Sequence, residues 1–310
     1  MPSLLRTSPI GRGSVAMCLR MALRSGASCE KMTGYSETIA LSGSGLSWSH
    51  ACSTVGLSDL PVREMQKATL ICNNFLMCGR YRLSRRKQVV EEYFDTAPVE
   101  HDWNPRYNIA PTQNVPIIRQ NPKEPVREMS FVRWGLIPSW AKDSSVAANM
   151  INARSETASV KPAFRDALKC RRCLIPADAF YEWKRIGKSK QPYCFEVNEG
   201  ELFAFAGIWD RWKNASGNAV ETCSILTTTP NALTAVVHDR MPVILDVDSY
   251  DLWLDPGMKD MGSVSELLKP CDAQIMRSYP VSTRVNQVVN DDEECSAPVQ
   301  PIRTQIQLPW

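Results

Sequence analysis

Regular patterning of apolar and polar residues begins at about Met77 and fades near Asn290. Runs rich in β-branched and aromatic residues, flanked by Pro, Gly or Asn, predict strands at 115–119, 129–137, 172–183, 192–197, 202–212, 220–229, 242–246 and 273–282. A helical period appears once near the start of this region. Val89, Val90, Tyr93 and Phe94 fall on one face, which predicts a helix capped by Ser84 and ended before Pro98. Further short helices are predicted at 159–168, at 231–237 with Asn231 as cap, and at 247–254. Many strands with few, scattered helices imply an α+β fold: a mainly antiparallel, barrel-like sheet core with peripheral short helices, and not an alternating doubly wound sheet.

Residues 1–77 differ in kind. They are rich in Ser and Gly, hold no sustained period, and carry Arg6, Arg12, Arg20 and Arg24 with no acid among the first 29 positions. Three readings of this extension stay open: a removable targeting or pro-segment, a disordered tail, or upstream sequence read from a start codon assigned too early. The domain is expected over 78–300, with 301–310 as a C-terminal tail.

Composition narrows the class without choosing a function. The 310 residues are 44% hydrophobic and 22% charged, the make-up of a soluble globular chain, and nowhere do eighteen apolar residues run together. Of 36 Lys/Arg and 33 Asp/Glu, 7 and 4 fall in residues 1–77, so the remainder is balanced at 29 of each sign. Nucleic-acid binding would therefore rest on a local cluster, with modest and salt-sensitive affinity. Eleven cysteines, an odd number without a secreted-domain spacing, point to a reducing compartment. Cys170 and Cys173 form a CxxC, but no second pair completes four ligands, and Cys173 fits a small hydrophobe opening a buried strand. Gly187–Ser189 has the GKS of a P-loop, yet Glu182 stands where its first glycine is required, so this is a turn. HExxH, GxSxG and GxGxxG signatures are lacking, which removes the usual zincin, α/β-hydrolase and dinucleotide readings.

What remains is a series of polar-aromatic segments: MCGRYRLS at 77–84, YNIAPTQ at 107–113, RWGLIPSW at 133–140, NARSET at 152–157, PADAFYEW at 176–183 and HDRMP at 238–242. In that order and at those intervals the chain resembles the SOS-response-associated peptidase family of abasic-site processing proteins, over roughly residues 77 to 300. The resemblance implies a reaction at Cys78 once the preceding residues are removed. An amino-terminal cysteine carries an α-amine with pKa about 7.7–8.0 and a thiol near 8.5, and the pair traps aldehydes. The amine condenses to a Schiff base, and the tethered thiol closes a five-membered thiazolidine. An internal cysteine cannot do this, because its nitrogen is an amide. An abasic deoxyribose offers the aldehyde when its ring opens at C1′.

Ring opening and imine formation both move protons, so an acid and a histidine are needed near the amine, and Glu182 and His238 are the candidates. Among aromatics the acid should have a raised pKa. The resemblance further assigns Asn152 to positioning the cysteine or the thiazolidine, Arg80 and Arg154 to phosphate contacts, and Trp134 to packing where the damaged strand bends. It implies covalent capture of abasic sites in single-stranded or junction DNA, autoproteolytic exposure of Cys78, a DNA lyase side reaction, no metal or organic cofactor, no membrane, and a monomer. The implied location is the cytoplasm, at the nucleoid in a bacterium, or the nucleus of a eukaryote. A cysteine peptidase with Cys78 as nucleophile and His238 as base is the competing activity, and a noncatalytic nucleic-acid-binding module is a third. Plainer roles stand beside each assignment: His238 as a structural residue ending a helix, Glu182 as a strand-edge acid paired with Lys184 or Arg185, and Trp134 as core. Ala179 departs from the glycine that is common in the family before the aromatic-Glu-Trp segment, a departure that matters only if the backbone there has positive φ.

Overall fold

A computed structural model describes residues 78–100 and 102–302; the expectations for the extension fall outside them. The strands are β1 (Tyr81–Leu83), β2 (Arg106–Ile109), β3 (Asn114–Gln120), β4 (Arg127–Trp134), β5 (Asn152–Arg154), β6 (Arg172–Ala177), β7 (Ala179–Ile186), β8 (Ser189–Val197), β9 (Phe203–Lys213), β10 (Ala219–Thr228), β11 (Met241–Pro242), β12 (Ile244–Leu245) and β13 (Met276–Pro280). The helices are short: α1 (Lys87–Phe94), α2 (Ser155–Ala158), α3 (Arg165–Cys170), α4 (Tyr250–Leu254) and α5 (Met261–Glu266).

Two sheets form. Strands β4, β3, β6, β9 and β10 pair in sequence, and β10 pairs back to β4, so five strands close into a barrel. Closure removes the sheet edges. A second sheet has the order β13-β8-β7-β1-β2 and is antiparallel throughout. The mainly antiparallel, barrel-like α+β architecture read from the pattern is the one observed. Inside the barrel the walls approach closely at Gly207, opposite Cys173: a Cβ there would lie 2.8 Å from the Cys173 sulfur. Cys173 is fully buried near the start of β6, as a small hydrophobe should be. The GKS segment is a turn, with Gly187 at φ +58 in the two-residue hairpin between Ile186 and Ser189.

Five local expectations are corrected. The run 172–183 is two strands, because the chain passes from the barrel to the second sheet at Asp178. Asp178 is fully buried, and its carboxylate accepts from Arg82 Nε at 2.5 Å, Ser84 N at 2.6 Å and Ser84 Oγ at 2.8 Å. That demand on Ser84 explains the second correction: Ser84 does not cap α1, whose N-cap is Arg86 without a side-chain bond. The face of α1 is also narrower than predicted. Val90 and Phe94 are buried, whereas Val89 and Tyr93 are exposed. At 159–168 turns run as far as Phe164 and only then does α3 begin, while α2 ends just before the run, at Ala158. At 231–237 only a 3₁₀ turn over Thr234–Val236 forms, but Asn231 Oδ1 does accept from Thr234 N.

The segment after β13 is irregular, yet closely held. Asn108, fully buried, donates from Nδ2 to the carbonyls of Val285, Gln287 and Asn290. Asp291 accepts from the Tyr107 and Asn108 backbone nitrogens and pairs with Arg106. This strap covers Tyr181 and Cys194 with Val281, Val285 and Cys295.

The Asp178 junction makes a direct test. Removing a buried, hydrogen-bonded carboxylate leaves the Arg82 guanidinium facing only Glu196. Asp178→Ala should therefore lower the unfolding free energy by about 3–5 kcal/mol in urea titrations. A loss within about 0.5 kcal/mol, the scale of an ordinary surface substitution, would contradict this account of the strand break.

Candidate active site

Four separate segments bring Cys78, Asn152, Glu182 and His238 to one place. β1 pairs with β7 through Tyr81 and Phe180, and the Arg80 carbonyl accepts from Tyr181 N, so the chain entering β1 runs beside Glu182. The Cys78 backbone nitrogen donates to Glu182 Oε1 at 2.7 Å. Both residues are buried, at 4% and 2% exposure. Asn152 opens β5, which lies on β10 with Ile225 opposite, and its Nδ2 stands 3.5 Å from the Cys78 carbonyl oxygen. His238 follows the 3₁₀ turn, its N–H bonded to Thr234 O, and interacts electrostatically with Glu182.

Burial dominates the electrostatics. Loss of solvent raises the Glu182 carboxyl above its ordinary 4.5, against opposing pulls from His238, Cys78 and the Trp183 backbone N–H. Burial, reinforced by the Glu182 carboxylate, pushes the Cys78 thiol well above its usual range. The thiol is thus held neutral while the nitrogen beside it has an acid at hydrogen-bond distance. Cys78 also has φ +42, a left-handed conformation that costs a non-glycine residue about 1–3 kcal/mol.

The residues expected to contact DNA divide. Arg154 ends β5 and is exposed. Arg80 lies at the site, but its guanidinium already donates to Asn108 Oδ1 and the Val285 and Asn286 carbonyls, over the Trp183 ring at 6.0 Å. Trp134 is corrected outright. It is 1% exposed, packs edge-on to Tyr81 at 5.5 Å between centroids, and donates from Nε1 to Ile151 O at 2.8 Å. No ring face is open for a base to stack on; the indole instead supports the chain leading into Asn152. Ala179 is buried in β7 and its backbone is not left-handed, so the departure from glycine is harmless.

Sequence reasoning missed the layer behind these residues. Arg240, 9% exposed, makes a bidentate pair with Glu156 and donates to the Thr227 carbonyl at 2.6 Å. Both lie within segments already singled out, HDRMP and NARSET, but 84 positions apart. Only the register of β5 and β11 on β10 joins them.

Fold and site define a small α+β barrel protein that holds a cysteine nitrogen against a buried carboxylic acid. The chain belongs to the SOS response associated peptidase (SRAP) family, whose model matches residues 77–288. It is 44% identical over 221 residues to the abasic site processing protein YoqW of Bacillus subtilis, covering 70% of this chain and 98% of that one. It is 32% identical over 231 residues to the abasic site processing protein HMCES of Gallus gallus, covering 65% and 68%. A crystal structure of a protein from Bacteroides thetaiotaomicron superposes with TM-score 0.66 at 28% identity, over 72% of this chain and all of that one.

The raised Glu182 carboxyl carries a pH signature. The folded state binds this proton more tightly than the unfolded state, so stability falls as pH rises from 4.5 through the raised value. Glu182→Gln should match the parent below that window and exceed it in stability above, in urea titrations at stepped pH. A difference that stays constant with pH would contradict the assignment.

Proposed function

We propose that this protein captures abasic sites in single-stranded or junction DNA by covalent attachment to Cys78. The observation that carries the reading is the buried Cys78 nitrogen 2.7 Å from Glu182, with Asn152 at the Cys78 carbonyl and His238 close enough to Glu182 to act on its charge. The names of the relatives supply the substrate, and the matched region opens at Met77, one residue before the reactive position.

Once Met77 is cut away, the nitrogen becomes an α-amine. Glu182 protonates and deprotonates the sugar oxygens as the ring opens to the C1′ aldehyde. The amine adds to C1′, His238 assists loss of water, and an imine forms. The Cys78 sulfur then adds to C1′, its proton passes to the nitrogen, and the thiazolidine closes. One water leaves in all. Asn152 holds the Cys78 carbonyl, which fixes the amine and thiol on one side of the incoming aldehyde. Before the sulfur closes, the imine acidifies the C2′ proton, which permits β-elimination of the 3′ phosphate and accounts for a lyase side reaction. Arg154 offers an exposed cation to the phosphate backbone.

Exposure of the amine fits the same site. In an autoproteolytic step the Cys78 sulfur attacks the Met77 carbonyl, the thiol proton passes through the Glu182 carboxyl to the leaving nitrogen, and water hydrolyses the resulting thioester. The left-handed strain at Cys78 favours this cut, since φ ceases to be constrained once the bond is broken. The neutral thiol argues against a general cysteine peptidase, which requires a thiolate poised near neutral pH.

The reading is tested by intact mass before and after incubation with an oligonucleotide bearing one abasic site. The protein should begin at Cys78 and gain the oligonucleotide mass less one water, and Cys78→Ala should gain nothing. An adduct of equal yield with Cys78→Ala, or a processed protein that forms none, would overturn it.

A further inference from the structure

The Nδ1 nitrogen of His238 has two neighbours with opposite demands. The Arg240 backbone N–H points at it from 3.1 Å and needs a lone pair to accept its proton. The Asp239 carboxylate lies 3.0 Å from the same nitrogen and needs a proton to accept. A neutral imidazole satisfies only one of them: bonded to Arg240 it carries its proton on Nε2, bonded to Asp239 it carries it on Nδ1.

What favours one partner is the anchoring of Arg240. Asp239 is exposed, its side chain 87% accessible, and free to turn into solvent. Arg240 is not free. Its guanidinium is gripped by both oxygens of Glu156 and by the carbonyl and hydroxyl of Thr227, which fixes the backbone that presents the N–H. Glu156 sits in α2, directly after the strand that carries Asn152, so one segment orients both Asn152 and, through Arg240, His238. The Glu156 carboxyl is held below its ordinary range chiefly by the hydrogen bond to Arg240, so the clamp keeps its charge at neutral pH. The other charged and titratable groups around the site are Arg154 from β5, which also acts on Glu156, Glu182 from β7 and the Cys78 thiol.

We propose that Glu156 is a positioning residue: through Arg240 it holds the His238 imidazole in the form with the proton on Nε2. This rests on the covalent-capture reading for its consequence: with Nδ1 engaged by the Arg240 N–H, the ring presents an Nε2–H that donates a hydrogen bond to the hydroxyl departing as the imine forms. Its structural content stands without that reading. When the clamp is removed, Asp239 becomes the remaining partner of Nδ1, and the proton should move there.

The test uses full-length protein labelled with ¹⁵N-histidine, with His238→Gln assigning the signal among the three histidines. Spectra are taken in alkaline buffer. The parent should show His238 as one tautomer, protonated on Nε2. Glu156→Ala should shift it by at least fivefold toward the Nδ1-protonated form, the scale set by losing one hydrogen bond worth about 1 kcal/mol. Glu156→Asp should restore part of the parent ratio, and adding Asp239→Asn to Glu156→Ala should reverse the shift. In parallel, Glu156→Ala should slow adduct formation with the abasic oligonucleotide by about tenfold while leaving noncovalent affinity for an undamaged strand unchanged. An unaltered tautomer in a folded Glu156→Ala protein overturns the proposal. Failure of the parent to form an adduct, with the tautomer shift intact, overturns only the functional reading on which the rate effect depends.

Discussion

A carboxylic acid buried to 2% exposure against the nitrogen of a buried cysteine is an arrangement that a fold does not adopt without compensation, and much of this molecule supplies it. Glu182 sits in β7, with Tyr193 of β8 as its cross-strand neighbour and the chain of β1 on its other side. The same burial that makes the acid costly to ionise keeps it protonated into a useful range. It also keeps neutral the cysteine thiol, which hydrogen-bonds the same carboxyl as the nitrogen does.

Strand β10 delivers the rest of the site. One of its edges is taken by β4 and then by β5, the other by β9 and then by β11. It is therefore a wall of the barrel along its first half and a platform for two short strands along its second. Asn152 arrives on one side of this platform and the segment holding His238 and Arg240 on the other. Thr227, between them, accepts from Arg240. The strap after β13 serves the opposite flank: Asn286 accepts from Trp183 Nε1, next to Glu182, and Arg80 donates to the strap's carbonyls. Arg80 and the residues around Cys78 are thus held by the same few strands.

Much of this was legible in the chain because it is written locally. Runs of β-branched and aromatic residues mark β3, β8, β9 and β10 to within a few residues, and the scarcity of helices marks the class. The short strands β1, β2 and β5 were not visible, since three or four residues give no period, and they are the ones that carry Cys78, Asn108 and Asn152 into place. The break at Asp178 was hidden for a related reason: a buried aspartate with three donors looks, in sequence, like one polar residue in an apolar run. Trp134 was misjudged because an indole's chemistry is the same on a surface and in a core; only the neighbours Tyr81 and Ile151 decide. Arg240 and Glu156 lie inside recognised segments, yet no spacing rule joins two residues that meet only through a third strand.

The central claim is that the nitrogen of Cys78 is a reacting atom and not a bystander to its sulfur. The most direct measurement is fragmentation mass spectrometry of the peptide recovered from the DNA adduct. The account predicts a peptide that begins at Cys78, bears the deoxyribose remnant on both nitrogen and sulfur, and resists both thiol alkylation and amine acylation at that residue. A remnant on sulfur alone with the nitrogen still in a peptide bond to Met77, or a remnant on a lysine, would contradict it.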